Sequence, residues 1–152
     1  MCEFQKLLIK KLILLVLILY PFSTNSLEKT KEEKVAKYII QNIQKDYVTC
    51  YSFYKIGAEV FKNTGKDKKM IKGLEKSADV ALKFNYDLGE VLNLKPKYMA
   101  RTTKTEVQKL TKIAQDDFQS LAKKYGLMCK KLIENQKQRI DYWEEKGNKK
   151  IK

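Results

Sequence analysis

The side chains that could do chemistry in this chain are cysteines, carboxylates, tyrosines and an excess of lysines; its 152 residues include no histidine. Without imidazole, His-based triads, His general bases, His-ligated haem and most catalytic zinc sites are excluded. Carboxylates occur as Asp116-Asp117, Glu144-Glu145 and Asp79 with Asp87. General acid–base work needs two carboxyls held at a fixed separation with shifted pKa values, and nothing in these spacings supplies that. No CxxC, no Cys-x-x-Cys-His and no glycine-rich phosphate loop is present. A nucleophilic Cys50 or Cys129 would lack a His partner, and both fall on apolar seams. The expectation is a non-enzyme with no metal and no cofactor.

The cysteines depend on where the chain goes. Lys6, Lys10 and Lys11 precede an apolar stretch from Leu12 to Phe22, and Ser23, Thr24 and Ser26 follow it as small residues. This is the pattern of a secretory signal peptide over residues 1–26, cleaved after Ser26 and taking Cys2 with it. The alternative is a membrane anchor through residues 7–22. A spanning helix needs about 20 apolar residues, however, and Lys10 and Lys11 interrupt this one early. Cleavage leaves a domain over 27–146 and a basic, flexible tail over 147–152. The signal holds three Lys and one Glu, so the formal charge falls from +14 to +12. Export, to the periplasm or beyond, places Cys50 and Cys129 in an oxidising compartment, where an isolated pair most simply forms a disulfide. In a reducing cytosol they would be two inert buried thiols.

The chain is 43% hydrophobic and 33% charged with only 6 Gly and 2 Pro, which fits one helical domain rather than a disordered segment. Ala36, Ile40, Ile43, Tyr47, Cys50, Tyr54, Gly57 and Phe61 recur at alternating spacings of four and three, the seam of a packed helix. Lys37, Gln41, Gln44, Lys55, Glu59 and Lys62 face away from it. Gly65 suits the left-handed position after the helix end. A second seam, Ile71, Leu74, Ala78, Ala81, Asn85, Leu88 and Leu92, marks a helix from Lys68 to about Asn93. A third begins at Pro96 or at Thr105, where Thr105-Glu106-Val107-Gln108 has the form of a capping box. Gly126 either reverses the chain or sits inside a longer helix, and Asn135 with Gln138 could cap a short final helix. The fold expected is all-α, an antiparallel bundle of three to four helices with one inter-helix disulfide.

The disulfide constrains that topology. At 1.5 Å per residue Cys50 lies roughly 18 Å below a first-helix end near Lys62, and a straight helix from Pro96 through Cys129 would overshoot it by about 25 Å. A start at Thr105 with reversal near Gly126 brings the two together.

The charge balance points to acidic partners. Arg101 and Arg139 are the only arginines, few for a nucleic-acid reader that grips phosphate and guanine bidentately, so no nucleic acid is expected. The lysine-dense stretches Lys62 to Lys83 and Lys95 to Lys112 offer Lys66, Lys68, Lys69, Lys72, Lys104 and Lys109 as candidate anionic contacts, including peripheral contact with a membrane. The bland reading is solvated helix faces under a lysine-rich codon bias. Tyr47, Tyr51, Phe53 and Tyr54 around Cys50 could line a pocket, though aromatics at this spacing more often form core. Asn85 and Gln136, polar on apolar seams, either set helix register or line a polar cavity.

Lys124-Tyr125-Gly126-Leu127-Met128-Cys129, then Arg139-Ile140-Asp141-Tyr142-Trp143, with Cys50-Tyr51-Ser52-Phe53-Tyr54 earlier, resembles small exported all-helical bacterial proteins. The resemblance implies no activity and transfers no functional residue, but it favours pairing of Cys50 with Cys129. The function expected is a non-catalytic exported bundle that binds an acidic envelope partner or surface. The alternatives are an ATP-independent periplasmic chaperone, which would need exposed apolar surface, and a small-ligand carrier using the Tyr-lined core. The oligomeric state stays open.

Overall fold

Thr30 starts the first helix: its Oγ1 accepts a hydrogen bond from the Glu33 amide at 3.3 Å, and Glu32 and Glu33 place negative charge where the helix dipole favours it. α1 then runs Lys31–Asn63. It ends in a Schellman motif, in which the Lys66 amide reaches the Phe61 carbonyl at 2.9 Å and the Gly65 amide reaches that of Lys62 at 3.2 Å. Gly65 has φ +66°, which only a residue without Cβ adopts freely. Asp67 caps α2, Lys68–Val91, by accepting from the Lys69 amide at 2.9 Å. Asn93 closes α2 with the same motif, at φ +56°. Pro96 opens α3, Pro96–Glu134, and the Asn135 side chain accepts from the Lys137 amide at 3.1 Å to lead into α4, Lys137–Lys150. The computed structural model describes residues 30–151. The expected signal peptide over 1–26 and the alternative anchor over 7–22 lie outside the described residues.

The molecule is an all-α bundle with α1 as its spine. α2, α3 and α4 each pack on α1, whereas α2 and α4 do not touch each other. Its core joins Ile43, Tyr47, Cys50, Phe53 and Tyr54 of α1 to Ala78, Ala81 and Phe84 of α2 and to Leu110, Leu121, Cys129 and Leu132 of α3. The two expected seams therefore pack as read. One residue departs from them: Gln44, expected to face solvent, is only 6% exposed. Its Nε2 donates to Asn85 Oδ1 at 2.6 Å, and Asn85 Nδ2 donates to Thr103 Oγ1 at 3.2 Å. This buried chain ties α1, α2 and α3 in one register, since a slip of any helix would strand an unpaired amide.

α3 corrects the expected topology. Of the two starts open in the sequence the helix takes Pro96, and the reversal expected near Gly126 falls at Asp117 instead. Asp117 alone leaves the helical region, with φ −156° and ψ 91°, so α3 is two arms, 96–116 and 118–134. The first arm climbs beside α1: Thr103 meets Asn85 opposite Gln44, Glu106 meets Thr49, and Phe118, just past the break, meets Phe61 at a ring separation of 6.0 Å. The second arm descends: Gly126 lies by Phe53 and Cys129 bonds Cys50. Asp117 makes the break possible by capping the second arm, accepting from the Ser120 amide at 3.0 Å and from the Ser120 hydroxyl. Gly126 is ordinary helix interior.

α4 continues the descent, with Arg139 reaching Asp46 and Trp143 reaching Tyr38. The stretch 147–150, expected as part of a flexible tail, is the last turn of α4. Gly147 is buried there, and a Cβ at that position would come within 3.2 Å of Val35 and Tyr38. The missing side chain lets the two helices close.

The Cys50–Cys129 disulfide joins Cα atoms 5.2 Å apart across a separation of 79 residues. In the chain-entropy account a loop of that size contributes about 4 kcal/mol. Reduction, or Cys50→Ala with Cys129→Ala, should therefore lower the urea midpoint by a corresponding amount; coincident melts with and without reductant would refute this. The capping bonds from Ser120, the side-chain one foremost, hold the Asp117 carboxyl below the usual carboxylate pKa. With the native value depressed, that contribution is present above the unfolded value of about 4 and is lost as pH falls through the native one. The stability gap between wild type and Asp117→Asn should accordingly narrow below about pH 4 in acid melts. A gap that stays constant down to the acid limit would contradict it.

Candidate functional site

The aromatic group around Cys50 is core packing. Tyr47 is 1% exposed, with its ring stacked on Phe84 at 5.0 Å, and Phe53 and Tyr54 pack against each other at 5.3 Å. Tyr51 is half-buried beside them. The Tyr47 hydroxyl makes no hydrogen bond of good geometry, although the Gln136 amide approaches it. Burial pushes its pKa far above the usual tyrosine value, against a smaller lowering by Gln136. Burial, with the Glu134 charge second, pushes Tyr54 up to about 12. Both hydroxyls therefore stay neutral at ordinary pH. The molecule's two described surface depressions are lined by other residues, so Tyr47, Tyr51, Phe53, Tyr54 and Asn85 border neither.

A different group holds the most concentrated chemistry. Asp46, buried on α1, accepts from Arg139 Nε at 2.6 Å and Nη2 at 3.0 Å, and from Trp143 Nε1 at 2.6 Å. Arg139 and Trp143 stand four residues apart on α4, one face of one helix. The guanidinium also lies 4.8 Å from the Trp143 ring and 4.5 Å from that of Tyr142. The bidentate geometry that makes Arg unlike Lys is used here, through Nε and Nη2. This cluster was missed from the sequence, although the chain's one Trp and one of its two Arg at helical spacing were a signal for it. Its arrangement is structural: both carboxylate oxygens of Asp46 accept from donors on α4.

The lysines fall into separate places. Lys66, Lys68, Lys69 and Lys72 sit at the end of the bundle where α1 hands over to α2. Lys104 and Lys109 lie on the first arm of α3, and Lys109 is paired with Glu106 at 3.2 Å. The structure does not bring these six into one surface.

A further basic surface emerges on the second arm of α3. A groove of about 350 Å³ between that arm and α4 is lined by Lys123, Lys124, Lys131, Arg139, Leu127 and Tyr142, among others. The sequence held a cue for it, since no carboxylate occurs from Phe118 to Ile133. The other depression, of about 430 Å³, is bordered by Val107, Gln108, Thr111 and Lys112. Among the described residues no three Cys, Asp or Glu side chains gather as metal ligands, and no helix is long and apolar enough to cross a membrane.

Asp46→Ala would leave Arg139 and the Trp143 indole without their shared acceptor. The cost should be about 2 kcal/mol, less than a fully buried pair would show because the Arg139 side chain is 24% exposed. Trp143 is the chain's single tryptophan, so its emission should shift to the red as α4 loosens. A denaturation midpoint and emission maximum both unchanged would mean the cluster does not hold α4.

No family model, curated protein or solved structure matches the chain, so its functional reading rests on its own residues.

Proposed function

We propose that this chain is an exported, non-catalytic helical bundle that binds an acidic envelope partner or surface through its lysine-rich faces. The observation that carries the reading is the surplus of unpaired cations. The formal charge is +14, and Lys66, Lys68, Lys69, Lys72, Lys104, Lys123, Lys124, Lys130 and Lys131 make no ion pair within 4.0 Å among the described residues. Unneutralised charge of one sign raises the local concentration of opposite charge and speeds encounter. The disulfide suits an oxidising compartment, which supports export.

The chaperone alternative has less support. The exposed large apolar residues Met70, Val91, Tyr98, Ile113, Leu127 and Tyr142 are dispersed over three helices, whereas client capture needs contiguous apolar surface.

Envelope material from the source cell, incubated with the purified protein, should retain it at low salt. Retention should fall about tenfold or more on going to several hundred millimolar salt, where screening shortens to a few ångströms. Exchanging Lys66, Lys68, Lys69 and Lys72 for Gln should weaken retention without altering the fold. Retention insensitive to salt would overturn the reading, as would none at low salt.

A further inference from the structure

On the second arm of α3, Cys129 is fixed to Cys50 and Gly126 lies against Phe53, so the opposite face is turned outward. Leu127 stands at the middle of that face, 65% exposed, more than any other large apolar side chain described. Lys123, Lys124, Lys130 and Lys131 occupy positions four and three residues before it and three and four after it. These are the four positions that neighbour a residue on a helix surface. All four lysines are exposed and make no ion pair within 4.0 Å among the described residues, and the arm's one carboxylate is Glu134, at its end, three and four residues after Lys131 and Lys130. Lys83, Lys109, Lys137 and Lys149, by contrast, each have a carboxylate three or four residues away in ion-pair contact. Met70 offers the nearest parallel, but it is less exposed at 50%, and Asp67 and Glu75 stand among its lysines.

We infer that this surface docks on an anionic lipid bilayer, with Leu127 entering the interface and the four lysines meeting headgroup phosphates. The inference rests on the acidic-partner reading and names the partner's chemistry. A leucine ringed by lysines fits a fluid layer, because lysine stems add apolar contact while their ammonium groups remain among the headgroups. Lysines supply point charges without the fixed fork by which a protein carboxylate is gripped, so they accommodate headgroups that have no fixed positions. Tyr142, 41% exposed, borders the same groove and presents the polar-tipped ring characteristic of membrane interfaces. Arg139, held by Asp46 through two of its five N–H donors, lines the groove with donors on its other edge left over for a phosphate.

The test is partition of the full chain onto vesicles of phosphatidylcholine alone and of phosphatidylcholine with a third phosphatidylglycerol. The quantity read is the change in the difference between them from wild type to each variant, because the apolar stretch Leu12 to Phe22 and Lys6, Lys10 and Lys11 beside it are common to all of them. Wild type should show a clear preference for the anionic vesicles. Leu127→Ala, which keeps helix propensity, should weaken binding to them about tenfold. Changing Lys123, Lys124, Lys130 and Lys131 to Gln should remove most of the preference, at roughly fivefold per lysine. Exchanging Lys66, Lys68, Lys69 and Lys72 should leave most of it. If those exchanges abolish the preference while the Leu127 variant binds as wild type does, this surface is the wrong one although the acidic-partner reading stands. A wild type without preference overturns the bilayer assignment. In that case salt-sensitive retention on envelope material would still uphold an acidic partner of another kind, and its absence would end both.

Discussion

The constraint that organises this molecule is that Cys129 must come back to Cys50. Eleven residues separate Phe118 from Cys129, and eleven separate Cys50 from Phe61. Two helices of equal length, about 16 Å each, therefore lie side by side once Phe118 meets Phe61. That equality demands a sharp reversal immediately before Phe118, and Asp117 provides it with one non-helical residue. The first arm of α3 can then climb between α1 and α2, and the second can descend on α1 to the disulfide. The position of α4 follows from where that descent ends. The bond and the break are thus two halves of one condition, since neither topology nor covalent closure is possible without the other.

Much of the fold was legible because period and capping are local. The seams of α1 and α2 place Ile43, Tyr47, Cys50, Ala78 and Ala81 in the core as read, and Gly65 takes the left-handed position its place in the chain implied. The incompatibility of the disulfide with a straight third helix was also legible, because it is arithmetic on helical rise. The location of the break was not. Gly126 looked like the breaker, yet a lone glycine is tolerated inside a helix at a cost of about 1 kcal/mol. Asp117 looked like one of two adjacent surface carboxylates, and its capping of Ser120 has meaning only when the chain already turns there. Thr105 to Gln108 has the form of a capping box, but Pro96 had already started the helix.

The buried polar groups were hidden for a related reason. Gln44 sits one position off the α1 seam and reads as solvent-facing on a two-helix view. It becomes buried because a third helix, the first arm of α3, covers that side and brings Thr103 to Asn85. Asp46 likewise reads as surface charge until α4 lays Arg139 and Trp143 on it. In both cases the neighbour that decides burial comes from far along the chain, and a single helix's pattern carries no trace of it. Asn85 was readable as a register residue because its own seam is apolar on both sides.

The distribution of charge follows from the same packing. Inside the bundle the one buried carboxylate on α1 is answered by Arg139, the residue whose geometry can saturate it, so the cation with directional chemistry is largely consumed by structure. Apart from the exposed Arg101, what remains at the surface is lysine, and most helix faces temper it with a carboxylate one turn away. The second arm of α3 has only Glu134, at its end, within a turn of Lys130 and Lys131 and none within a turn of Lys123 and Lys124. Its four lysines gain nothing in stability from one another, since like charges repel at these spacings. The disulfide and the Asp117 cap hold that arm in place in spite of this. In the docking proposed for this arm, headgroup phosphates would supply the opposite charge that the molecule itself does not place there.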